Sequence, residues 1–261
     1  MGDDPRAELM TLVASVAEHL RHEMDLGNPA LPHVPAPSPA PAALDASPVS
    51  VARAPEAAAA PIAAPAPAPA SEQSRGERLA VLADRARVCT ACRLHEGRTK
   101  SVFSRGSDRA SLVFVGEGPG YHEDQQGVPF VGNAGQLLDK MIVAMGFAVD
   151  EVYICNVVKC RPPENRTPNP DEATACLPFL REQLEVVAPE VIVALGRHAA
   201  ENLGVAEPGR RWRGEWGTWQ GVRVMPTYHP AYLLRTPENK RVVWQDLQAV
   251  VKAMGRTLPS R

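Results

Sequence analysis

Apolar and polar positions settle into a regular alternation beyond residue 100. Four short runs, Leu112–Val115, Val152–Val158, Val191–Leu195 and Val222–Met225, are rich in β-branched residues and have the length of buried strands. Between them apolar positions recur at helical spacing, at about 134–146, 172–187 and 197–203, and another helical pattern at 239–254 follows the last run. Pro170-Asp171 marks one helix start, and Gly146 sits just past another helix end. An arginine-rich helix at about 74–87 leads in. Strands alternating with helices predict an α/β protein: a three-layer α/β/α fold with a central parallel four-stranded sheet.

Upstream the pattern changes. Leu9, Leu12, Val13, Val16 and Leu20 share one helical face across 6–24. So short a helix is marginal alone in water: it either docks on a protein partner through residues 6–24 or frays. Residues 29–70 hold 12 Pro and 17 Ala with hardly any large apolar side chain. Such a stretch cannot bury enough surface to offset its ordering entropy. The chain therefore divides into an N-terminal amphipathic helix (1–28), a Pro/Ala-rich disordered linker (29–72) and a folded domain (73–261).

The same division sorts the charge. Residues 1–71 carry 3 basic and 8 acidic side chains, and 72–261 carry 25 and 22, so the overall −2 conceals a mildly basic domain of +3. That balance is compatible with nucleic acid but does not single it out. No apolar stretch approaches the roughly 20 residues that span a membrane, so no membrane partner is expected. Asp3 and Asp4 at the start are unlike the basic opening of a secretion signal, which predicts a cytoplasmic protein.

In open parallel sheets ligands bind beyond the carboxyl ends of the strands. The four runs deliver Gly116-Glu117-Gly118, Asn156, Gly196-Arg197 and Thr227-Tyr228-His229 to that edge. A carboxylate, an amide and an imidazole should meet there. The glycine-rich turn after the first run is not a phosphate cradle. Its glycines fall at 116, 118 and 120 rather than in G-x-G-x-x-G, and no Lys-Ser/Thr pair enters the following helix. Pro119 removes a backbone donor, and Glu117 puts negative charge where phosphate would sit. The turn instead lets a ligand approach the backbone at Gly118 beneath a carboxylate.

Cys89 and Cys92 form C-x2-C, and Cys160 and Cys176 lie 16 apart. In an intracellular chain these four read as metal ligands rather than disulfides. On spacing alone, zinc and an iron–sulfur cluster suit them equally. Cys155, in mid-strand, reads as a small core residue.

Gly116-Glu-Gly-Pro-Gly120, Glu123-Asp124, Gly127-Val-Pro-Phe-Val-Gly132, Asn156-Val-Val-Lys-Cys-Arg-Pro-Pro163 and His229-Pro-Ala-Tyr-Leu-Leu-Arg235 together resemble the family 4 uracil-DNA glycosylases. These are the iron–sulfur class of the uracil-DNA glycosylase superfamily. The likeness covers about 75–255 and leaves 1–70 outside. It implies a base excision repair enzyme, monomeric and nucleoid-associated in a bacterial-type cytoplasm, whose substrate is uracil-containing DNA. It also implies a [4Fe–4S] cluster on Cys89, Cys92, Cys160 and Cys176.

Such an enzyme must flip the base into a pocket and hydrolyse its N-glycosidic bond. Phe130 could stack on the ring. Asn156 could donate to O4 and accept from N3–H, a polarity that cytosine reverses. The resemblance places Glu123 at the 5-methyl edge, with Tyr121 and His122 nearby. His229 would donate to O2 as the leaving group gains charge. The wider superfamily carries Asp where this chain has Gly118, which leaves water activation to Glu117 first, Asp124 second and main-chain positioning third. For DNA contact, Leu233 or Leu234 could fill the gap left by the base while Arg235 holds a phosphate. Lys159, Arg161, Arg166 and the run Arg210-Arg-Trp-Arg213 add positive charge. A related branch links covalently to DNA through a histidine on an inserted loop, but the stretch after Lys159 contains none. The reading from a different class is a non-catalytic iron–sulfur DNA-binding module recruited to replication or repair machinery.

Overall fold

A computed structural model describes residues 74–207 and 212–259. The expected helix at 6–24, the linker at 29–72, and Arg210 and Arg211 lie outside the described residues. The lead-in helix α1 (Arg75–Val88) starts where Ser74 and Glu77 cap each other reciprocally: Ser74 Oγ accepts from Glu77 N at 3.2 Å and Glu77 Oε2 accepts from Ser74 N at 2.7 Å. Short α2 (Leu94–Gly97) follows, and then the strands begin.

The sheet has six strands: β1 (Ser104–Gly106), β2 (Leu112–Gly116), β3 (Tyr153–Asn156), β4 (Val191–Leu195), β5 (Gly217–Trp219) and β6 (Val222–Thr227), in the order β1-β3-β2-β4-β6-β5. β3, β2, β4 and β6 pair in parallel, while β1 and β5 add antiparallel edges. The expected four-stranded sheet is thus corrected to six. Each added strand has only three residues, none of them buried, so neither shows as an apolar run.

Successive strand residues face opposite ways. Val113, Val115, Ile192 and Ala194 join one buried cluster with Leu82 of α1, Leu180 and Leu184 of α5 (Pro170–Val187) and Ala199 of α6 (Arg197–Asn202). Leu112, Phe114, Val191 and Val193 join the other with Leu138 and Ile142 of α4 (Asn133–Ala144), Leu233 of α7 (Pro230–Arg235) and Leu247 of α8 (Lys240–Ala253). Helices therefore cover both faces. The short helix α3 (Tyr121–Gln126) was not foreseen, because six mostly polar residues make no amphipathic period. No helix among the described residues is long and apolar enough to cross a membrane.

From β2 the chain goes to β3 on one side and then to β4 on the other. This makes the carboxyl end of β2 the topological switch point, where a crevice opens.

Candidate active site

A cavity of about 460 Å³ occupies that crevice, and Glu117, Gly118, Glu123, Phe130, Asn156, His229 and Arg235 all line it. The carboxylate, amide and imidazole expected from three separate strand ends therefore meet in one hollow.

Asn156 closes β3 and is almost wholly buried. Its main-chain carbonyl accepts from Lys159 Nζ at 2.6 Å, while its side-chain Oδ1 is buried with no partner among the described residues. A buried acceptor left unpaired costs about 1–3 kcal/mol, which marks the Asn156 amide as a group in want of a donor. Gly116 makes the close approach possible, since a Cβ there would overlap both Asn156 Oδ1 and the Phe130 ring.

Phe130 is buried and holds a left-handed backbone with φ 56°, a conformation that costs a non-glycine residue energy and gathers at functional sites. Its ring stacks on His229 with centroids 5.5 Å apart. Glu123 holds that bend. One carboxylate oxygen accepts from the N–H groups of Val131 and Gly132, both at 2.9 Å, and the other from Gly120 N at 3.1 Å. Glu123 thus ties the Gly116–Gly120 turn to the Phe130 turn and still lines the cavity.

His229 caps α7, its Nδ1 accepting from Ala231 N–H at 3.1 Å. The neutral ring therefore carries its proton on Nε2. Burial, helped by the charge of Arg235 and opposed by Glu123, pushes the imidazole down to about 4. At neutral pH His229 is an uncharged Nε2–H donor on the cavity wall.

Three expectations fail on burial. Lys159 is 1% exposed and spends its ammonium on the Asn156 carbonyl, so it is no surface cation for DNA. Leu233 is 1% exposed in the core, leaving Leu234, 46% exposed, as the apolar side chain on that turn. Asp124 is buried, accepts from Thr99 N at 2.9 Å and from Gln125 Nε2 at 3.4 Å, and does not line the cavity. It braces the lead-in loop and does not activate water. Of the expected DNA-facing cations, Arg235 lines the cavity and Arg161 stacks on Tyr121.

The sequence reading named Arg166 as a cation but missed the wall that it forms with Pro162, Asn165, Thr167 and Pro168. Its signal is the run of prolines at 162, 163, 168 and 170. Buried Glu172 anchors this wall, accepting from Arg166 Nη1 at 2.8 Å and Nη2 at 2.7 Å and from Asn169 N at 2.8 Å. The paired Arg166 guanidinium holds the Glu172 carboxyl below its ordinary value.

Cys89, Cys92, Cys160 and Cys176 border a second hollow, between α1, α5 and the loop after β3. N–H donors point at their sulfurs: Lys159 N to Cys176 Sγ at 3.3 Å and Arg98 Nη1 to Cys160 Sγ at 3.4 Å. Among the described residues no three His, Cys, Asp or Glu side chains converge closely enough for a single metal ion. Cys155 lies fully buried in β3, as expected of a core residue.

Known proteins are similar to this chain in sequence. The family model of the uracil DNA glycosylase superfamily matches residues 103–248. The chain is 46% identical over 180 residues to the type-4 uracil-DNA glycosylase of Thermotoga maritima, covering 67% of this chain and 94% of that one. It is 39% identical to the type-4 enzyme of Saccharolobus solfataricus (68% and 87% covered) and 41% identical to that of Archaeoglobus fulgidus (66% and 91% covered).

Proposed function

The chain belongs to the uracil DNA glycosylase superfamily, and from that premise and the cavity we infer that it excises uracil from DNA as a repair hydrolase acting on N-glycosyl bonds. The observation that carries the assignment of the pocket is the buried amide of Asn156 in the cavity wall, whose Oδ1 has no hydrogen-bond partner among the described residues. Uracil N3–H is a donor of the required kind. Cytosine presents an unprotonated N3 there and would leave two acceptors facing each other.

The extruded base rests against Phe130, with Asn156 at its N3 and O4 edge and His229 Nε2–H at O2. As the bond between C1′ and N1 breaks, its electron pair passes to the uracil ring and charge grows on O2. A preorganised neutral donor stabilises that charge by about 3–4 kcal/mol. Glu117 lines the same wall and is the carboxylate placed to orient water toward C1′ or to face the cationic sugar. Water adds at C1′ and leaves an abasic site. Glu123 shapes the 5-methyl edge by holding the two turns together rather than by touching the ring alone. Arg235 at the mouth holds a phosphate, and Leu234 enters the gap left by the base. The same reading carries with it a monomer working at the nucleoid in the cytoplasm.

Four cysteines around one hollow, with main-chain and guanidinium N–H groups aimed at sulfur, fit a [4Fe–4S] cluster held by Cys89, Cys92, Cys160 and Cys176. When bound, the cluster would cross-link the lead-in segment to the sheet. Incubation with a uracil-containing oligonucleotide followed by alkali tests the reading: strand scission at uracil is expected, and an intact strand would refute it.

A further inference from the structure

Tyr121 follows Gly120, a residue of the cavity wall, and stays 53% exposed. A large ring left in water beside a binding site calls for a reason, and this ring is held in place. The Arg161 guanidinium lies 5.2 Å from its centroid, and Arg161 Nε donates to Asn165 Oδ1 at 2.7 Å. Asn165 keeps a left-handed backbone, with φ 57°, and lines the cavity, as does Pro162 beside Arg161. His122 meets the ring edge-on, with centroids 5.6 Å apart. α3 and the loop after Cys160 thus hold a phenol–guanidinium pair next to Gly120 and Pro162 of the cavity wall, outside the cavity itself.

We propose that Tyr121, braced by Arg161, is a stacking platform for the nucleobase next to the extruded uracil, an inference that rests on the uracil-excising reading above. Drawing a base out of a strand strips its neighbour of one stacking contact. A flat aromatic at the mouth replaces it. Stacking on a π-face is tolerant of base identity, so the ligand is any purine or pyrimidine flanking the lesion. The contribution is greatest in single-stranded DNA, where no complementary strand holds that neighbour.

The test uses the full-length, cluster-loaded protein and single-stranded oligonucleotides with one central uracil. One carries ordinary neighbours. The others carry a base-less tetrahydrofuran residue on the 5′ or the 3′ side. Excision by the unaltered protein, read as kcat/KM, should fall about tenfold on one of the two base-less substrates. Tyr121→Ala should treat all three alike, whereas Tyr121→Phe, which keeps the ring, should retain the difference. The ratio between substrates within one variant is insensitive to a partly misfolded preparation. If the unaltered protein excises uracil equally from all three, or Tyr121→Ala keeps the full difference, the platform is overturned while the excision reading stands. No excision from any of them would overturn the excision reading and the platform with it.

Discussion

Phe130 and His229 face each other with ring centroids 5.5 Å apart and planes 29° from parallel. Two stacking gaps would need roughly 7 Å, twice the 3.4 Å rise between stacked bases. A pyrimidine is therefore not sandwiched between the two rings. On the function proposed above it lies against Phe130 and offers an edge to the imidazole, which gives the two residues separable jobs.

Replacing the imidazole should expose that separation. His229→Ala is expected to slow single-turnover excision about 10²–10³-fold, the usual cost of one transition-state donor. Binding of a uracil-containing oligonucleotide, followed by fluorescence anisotropy, should change far less. Equal losses in both would mean that His229 positions DNA instead.

Asn156→Asp tests the polarity of the pocket. The ionised carboxylate cannot donate to O4, so uracil excision should fall about 5- to 100-fold, the worth of one or two buried hydrogen bonds. The ratio of cytosine to uracil excision should rise, since a protonated carboxyl matches cytosine. An unchanged ratio would place base recognition elsewhere.

Much of this site is legible in the sequence. Asn156 sits in the second apolar run and His229 shortly beyond the last, and the rule that ligands lie beyond strand ends selects both without a motif. What stayed hidden depends on which way a side chain turns. Glu123 and Asp124 are neighbours on one helical turn, about 100° apart, so one reaches the cavity and the other the lead-in loop. Leu233 and Leu234 divide between core and solvent for the same reason. Lys159 reads as a surface cation because a chain of letters cannot show that its ammonium curls back onto the Asn156 carbonyl. The edge strands escaped notice because three residues, none of them buried, leave no period to detect.

The clamp at Glu123 can be probed by a one-atom change. In Glu123→Gln the amide nitrogen must oppose a backbone N–H that the carboxylate accepted. The loss should destabilise the protein by about 1–3 kcal/mol in denaturant titrations, with excision reduced alongside. An unaffected midpoint would show that the two turns are held by something else.

The pH dependence of His229 has a definite sign. Its folded value of about 4 lies below the ordinary 6.5, so the native state takes up this proton less readily than the unfolded chain. The contribution to stability is complete above pH 6.5 and is lost as the pH falls toward 4. NMR of the ring nitrogens should show a neutral Nε2–H tautomer throughout the neutral range. Thermal melts should fall more steeply for the unaltered protein than for His229→Asn between pH 6.5 and 4. A ring that titrates near 6.5 would contradict the burial argument.

The proposed cluster makes a prediction for the cavity: removing it should be felt there. Cys160 begins the loop whose residues Pro162 and Asn165–Pro168 form one wall. Cys160→Ser is expected to lose the visible absorption and the iron and sulfide of the purified protein. It should also lower Tm and slow excision by up to about 10²-fold through a displaced wall. Full activity in an iron-free preparation would uncouple the two hollows.

The docking of α1 on α5 has a bearing on how the protein is made. Arg75 reaches the carbonyl of Val187, 112 positions later, and Arg85 reaches Glu182, 97 positions later. A ribosome adding about 5–20 residues per second leaves α1 without its mate for roughly 5 to 20 seconds. Throughout that interval the Leu79 and Leu82 stripe has nothing to cover it, and Cys89 and Cys92 wait for two thiols not yet translated. A chaperone that shields the stripe, or an iron donor that arrives early, has that span of biosynthesis in which to act.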